Sequence, residues 1–129
     1  MGGLFGENRV TLDERSLLLD RWLQDGSVLV NESEDITANT TMYAVTSGKT
    51  LYVTDIDIHL NTAGGALDTM RIVDGAGGVV KRIQFLQNYI IGDIISMRFS
   101  TPVAFSTAFY VREFSGAINV RVSFQGWEE

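Results

Sequence analysis

The stretch Ala117 to Gln125, AINVRVSFQ, alternates apolar Ile118, Val120, Val122 and Phe124 with polar Asn119, Arg121, Ser123 and Gln125. That is the period of a β-strand with one buried face. Upstream, Phe109 to Phe114 is a second aromatic and β-branched run, and Ser115-Gly116 between them supplies a residue free to take positive φ. The two runs therefore predict a closing hairpin.

Working back from this pair, short apolar runs recur at regular spacing, each bounded by turn residues. Pro102 heads a brief Val103 to Phe105 segment, where its missing amide costs least. Gly92-Asp93 precedes a strand from Ile94 to Ser100. Asp74-Gly-Ala-Gly-Gly forms a hairpin turn between Leu67 to Val73 and Val79 to Leu86. The longest strand, Thr50 to Leu60, follows a turn at Ser47-Gly48-Lys49. Its apolar residues change parity between Val53 and Ile56, which predicts a bulge near Thr54-Asp55 or burial on both sides. Before it come a strand from Thr41 to Thr46, a polar acidic loop from Asn31 to Thr40, and a short strand at Val28-Leu29-Val30. About eight strands without αβ alternation predict an all-β protein, an antiparallel β-sandwich of jelly-roll type.

The first 26 residues read differently. Gly2, Gly3 and Gly6 surround Leu4 and Phe5 in a glycine-rich arm. Thr11-Leu12-Asp13-Glu14 then has the spacing of a capping box, and Leu12, Ser16, Leu19 and Leu23 share a helical face with Trp22 beside them. A short α-helix from Leu12 to Gln24 is predicted, with Gly26 as its C-cap. Residues 1–26 thus form an N-terminal arm and helix, and residues 27–129 the sandwich. A short helix with so broad an apolar surface needs something to pack on, its own domain or a neighbouring subunit.

The chain of 129 residues has room for one core, and it has no cysteine, so its stability comes from packing or assembly. Its formal charge of -6 is uneven: residues 27–65 carry net -4 and residues 66–126 net +2. An acidic protein gains little from releasing phosphate counterions, so nucleic acid is a poor partner. No apolar run approaches membrane-spanning length, and the start lacks a secretion signal, so neither a membrane nor export is expected.

Catalytic and ligand chemistry is sparse. Asp55, Asp57 and His59 share one strand face, but same-face neighbours stand about 6–7 Å apart, too far for the outer two to chelate one ion unaided. No nucleophile elbow, phosphate loop with its lysine, or calcium-loop spacing is present, so no catalytic residue, metal or cofactor is expected. Arg71, Arg82, Arg98, Arg112 and Arg121 fall on strands, where the plainer reading is ion pairing with the acidic surface.

Three segments resemble small jelly-roll virion proteins of tailed bacteriophages. These are Ser47 to Ile56 (SGKTLYVTDI), Phe99 to Phe105 (FSTPVAF) and the ending Gly116 to Glu129 (GAINVRVSFQGWEE). The resemblance spans residues 41–129 and implies a structural part of the capsid decoration (cement) type, a homotrimer bound to the major capsid protein on the capsid surface after synthesis in the host cytoplasm. Residues 1–26 lie outside it. Leu4, Phe5, Leu19, Trp22 and Leu23 are the expected attachment contacts, and Trp127 is expected at a sheet margin or subunit contact. A carbohydrate-binding jelly roll is the alternative, with Tyr43, Tyr52, Tyr89 or Trp127 set over sugar faces.

Overall fold

The computed structural model describes residues 27–65, 68–113 and 118–129. The predicted arm and helix, residues 1–26, lie outside the described residues. Eight strands form two antiparallel sheets: β1 Val28–Ile36, β2 Thr40–Ala44, β3 Leu51–Leu60, β4 Thr69–Asp74, β5 Val80–Phe85, β6 Ile94–Phe105, β7 Ala108–Glu113 and β8 Val120–Glu128. One sheet has the order β1-β8-β3-β6 and the other β2-β7-β4-β5. Their inner faces meet in one apolar core. At its centre the Phe109 ring of β7 stacks on the Phe124 ring of β8, with centroids 4.1 Å apart.

That contact corrects the expected closing hairpin. The strands β7 and β8 belong to different sheets and do not pair: β7 lies between β2 and β4, and β8 between β1 and β3. Alternation marks the buried face of each strand, and here the two buried faces oppose each other across the core. The strand β8 also runs on to Glu128, beyond the alternating stretch.

The predicted bulge is present. Register shifts between Val53 and Asp55 in both ladders of β3, so Leu51 and Val53 face the same core as Ile56, Ile58 and Leu60. Opposite this point Val53 pairs with Val103 and Asp55 with Arg98, which leaves residues 99–102 of β6 without ladder partners. Pro102 sits in this looped-out stretch, on an edge strand, where no amide is needed. For that reason the two segments read on either side of it form one twelve-residue strand.

The acidic loop is also corrected. Residues Asn31 to Ile36 continue β1, paired with β8 from Val28↔Glu128 to Ile36↔Val120. The polar side chains tolerate this because β1 is an edge strand with little cover: only Val30 and Ile36 within it are buried. Glu32 and Glu34 pair with Phe124 and Val122, so they point toward the opposite sheet, yet they remain exposed at the mouth of the sandwich. Inward-pointing charges of this kind stop an edge strand from pairing indiscriminately.

The glycine-rich turn after Asp74 joins β4 to β5 as a hairpin, with Gly75 at φ 82° and the Gly78 amide donating to the Gly75 carbonyl. No helix among the described residues is long and apolar enough to cross a membrane.

Candidate functional site

Of the six contact residues expected from the sequence, Leu4, Phe5, Leu19, Trp22 and Leu23 lie outside the described residues. Trp127 lies in β8. It pairs with Leu29 on one side and Tyr52 on the other, on the outward face by alternation from Phe124. Its ring stacks on Tyr52 with centroids 5.2 Å apart, and only 7% of the residue is exposed, whereas Leu29 at the same level is 52% exposed. Trp127 thus anchors an apolar row across one end of the sheet.

Its neighbour Glu128 points the other way and is 4% exposed. The Tyr43 hydroxyl and the Thr46 amide both donate to Glu128 Oε2, at 2.9 and 2.8 Å. Burial works against the charge, but the Thr46 and Tyr43 donors and the nearby Lys49 outweigh it and hold the carboxyl below its usual range. Burial, together with the Glu128 carboxylate, pushes the Tyr43 hydroxyl up. One buried carboxylate therefore ties β8 to β2 in the other sheet. In the sequence it looks like part of a charged tail, Trp-Glu-Glu, and only its place next to a buried tryptophan hints otherwise.

A second carboxylate does similar work. Asp74, at the end of β4, accepts from the amides of Ser106, Thr107 and Ala108 at 3.0, 2.7 and 3.2 Å and from the Ser106 hydroxyl at 3.0 Å. Burial opposes its charge, but these donors outweigh it and lower its pKa. The β6–β7 connection is thereby fixed to β4, the neighbour of β7 in its own sheet.

The Asp55, Asp57 and His59 face carries ion pairs. Arg98 lies 3.5 Å from Asp55 and 3.0 Å from Asp57, and Gln125 donates to Asp55. A hydrogen bond from Ser96, with Arg98 adding to it, lowers the Asp57 pKa against burial. No group of three or more histidine, cysteine or acidic side chains is gathered to hold a metal among the described residues. The aromatic residues named for sugar binding are not open platforms. Tyr43 is half-buried and engaged by Glu128, Tyr52 lies against Trp127, and Tyr89 packs on the core.

Among the described residues, a group of large apolar side chains stands exposed around the β5–β6 connection. Phe85, Ile90, Ile91 and Ile94 are 60%, 64%, 69% and 63% exposed, all within ten residues around the β5–β6 connection. Register puts Phe85 opposite Thr69 and Ile94 opposite His59, on the outer faces of the two sheets, with the isoleucine pair in the connection itself. The connection is well fixed. The Leu86 amide donates to Asp68, the Gly92 amide to the Leu60 carbonyl, and the Ile90 amide to the Asp93 carboxylate at 2.9 Å. Asn88 and Gly92 adopt positive φ to make the turns. Large apolar side chains held in water on a braced connection are uncommon on a monomer's surface. The signal available in the sequence was the pair Ile90-Ile91 set directly before a Gly-Asp turn, where solvated residues usually stand.

No family model matches the chain, and no curated protein matches it.

Proposed function

We propose that the protein is a structural component of a bacteriophage virion, a capsid decoration (cement) protein of jelly-roll type that binds the major capsid protein as a homotrimer. It would be made in the host cytoplasm and act on the capsid surface. The observation that carries this reading is the braced apolar corner at the β5–β6 connection, held by a sandwich whose sheets are tied together by Glu128 and whose β6–β7 connection is pinned by Asp74. A cement protein needs a rigid body and apolar surface for its neighbours, and this chain combines them.

Strand order supports the jelly-roll part of the proposal. Among consecutive strands only β4 and β5 share a sheet; every other connection crosses from one sheet to the other. The last strand returns beside the first, as in paired Greek keys. Of the residues that carry the resemblance to phage virion proteins, Leu51 to Ile56, Phe99 to Phe105 and Val120 to Glu128 fall on β3, β6 and β8, three adjacent strands of one sheet.

The test is binding. Purified full-length protein should run in solution at three times the 14.2 kDa chain mass, co-sediment with phage heads that lack it, and raise the temperature at which they break. A chain without residues 1–26 should remain folded and lose head binding. Undiminished binding by the shortened chain would remove Leu4, Phe5, Leu19, Trp22 and Leu23 from the attachment. Heads whose stability is unchanged by saturating protein would defeat the proposal as a whole.

A further inference from the structure

The sandwich has two flanks of opposite charge. On one, edge strand β1 carries Glu32, Glu34 and Asp35 and no base. Asp35 is paired with Arg121 at 3.0 Å, whereas Glu32 and Glu34 form no ion pair among the described residues. On the other, edge strand β5 carries Lys81 and Arg82 and no acid. Neither base meets a carboxylate among the described residues; the Arg82 guanidinium lies 4.8 Å from the centre of the Phe99 ring on β6.

The two flanks also match in height. Glu32 is level with Phe124, Ile56 and Met97 across the sheet, and Phe99 beneath Arg82 is two residues from Met97. Likewise Ile94, in the apolar corner, is level with His59, Arg121 and Asp35, at the end of β1 that leads into Thr37 and Ala38. A rotation axis parallel to the strands keeps these heights. It brings the bases of one copy to the acids of the next while the corner covers the β1–β2 connection.

We infer that the β5/β6 flank of one copy docks on the β1/β2 flank of a second copy, with Lys81 and Arg82 against Glu32 and Glu34. The contact is heterologous, so it passes head to tail, and a rotation of one third of a turn between copies closes it as the trimer of the virion proposal. Unpaired charges select the partner and the register, and the isoleucine corner supplies the apolar burial. The inference rests on the self-association in the virion proposal and names the surfaces that produce it.

Light scattering on the full chain tests it, with circular dichroism to show that each variant is folded. Lys81→Glu with Arg82→Glu, and separately Glu32→Lys with Glu34→Lys, should each reduce the wild-type oligomer to the 14.2 kDa monomer. Lys81→Glu alone, which leaves the Arg82–Phe99 contact intact, should weaken assembly at least tenfold. All four changes in one chain should restore the oligomer, because the signs are complementary again. An oligomer that ignores both pairs overturns the contact and leaves the virion proposal standing. Sensitivity to the β5 pair alone means a symmetric contact or cover by residues 1–26 and also overturns it. A wild-type monomer overturns the contact together with the trimer.

Discussion

Glu128 shows how much one side chain contributes when it is buried and hydrogen-bonded across the sheets. Its carboxylate receives the Tyr43 hydroxyl and the Thr46 amide on one oxygen, and both donors belong to the segment that leads from β2 toward β3. Glu128→Ala leaves two donors without their acceptor and should cost about 2–4 kcal/mol, since hydrogen bonds to a charged group contribute more than neutral ones and orphaned buried donors add a penalty. Glu128→Gln keeps an acceptor oxygen of the same reach and should cost about half as much. Urea midpoints of the two variants measure the difference. Equal losses would mean that side-chain packing, and not the hydrogen bonds, holds this point. Gly126, two residues earlier, is fixed for a steric reason: a β-carbon there would lie 1.8 Å from the Tyr52 carbonyl oxygen.

At the scale of the strand, the sequence made the pleat visible and left pairing hidden. The parity change between Val53 and Ile56 disclosed the bulge because a bulge rewrites the alternation itself. Strand β8 was legible for the same reason, as were the turns at Gly48 and Gly75, which take positive φ. Partner choice leaves no such trace. Phe109 and Phe124 would alternate identically in a hairpin or across a core, so the β7–β8 relation could be read only from the structure. The acids of β1 hid a strand because an uncovered edge needs few apolar residues, and Pro102 hid the continuity of β6 because residues 99–102 leave the ladder. The apolar corner was missed because a pattern reading credits apolar residues to the core. A deletion test separates bulge from pleat. Thr54 is the extra residue of β3 relative to β8, so removing it joins Val53 and Asp55 in an ordinary ladder opposite Gly126 and Gln125. That variant should keep a cooperative urea transition. Removing Ser123 from β8, which has no extra residue against β1, turns either Phe124 or the Val120 and Val122 pair out of the core and should abolish the transition. Similar behaviour of the two deletions would contradict the assigned register.

For the whole molecule, the sandwich is held by an apolar centre and by carboxylates within and between its sheets that work only when ionised, which ties stability to pH. Asp57, Asp74 and Glu128 all have folded-state pKa values below their ordinary ones, 3.8 for the aspartates and 4.5 for the glutamate. A lowered folded value means that the unfolded chain takes up protons first as pH falls. The stabilisation is therefore complete above the ordinary values and is lost as pH drops through them toward the lowered ones. Tyr43 has a raised value, so its contribution is complete below its ordinary 10.0 and is lost as pH rises beyond it. Urea midpoints should be level from pH 6 to 9 and fall on both sides. The three carboxylates differ in what holds them. Asp57 is partly exposed beside Arg98, so salt weakens its share, whereas Asp74 is held by uncharged amides and a hydroxyl, which salt does not screen. Raising the salt should thus leave most of the acid slope in place. Asp74→Asn should flatten that slope while lowering the neutral plateau, and Tyr43→Phe should remove the alkaline fall while lowering the plateau by the lost hydrogen bond to Glu128. An Asp74→Asn variant that keeps the full wild-type acid slope would show that this carboxylate does not hold the β6–β7 connection as its four hydrogen bonds require.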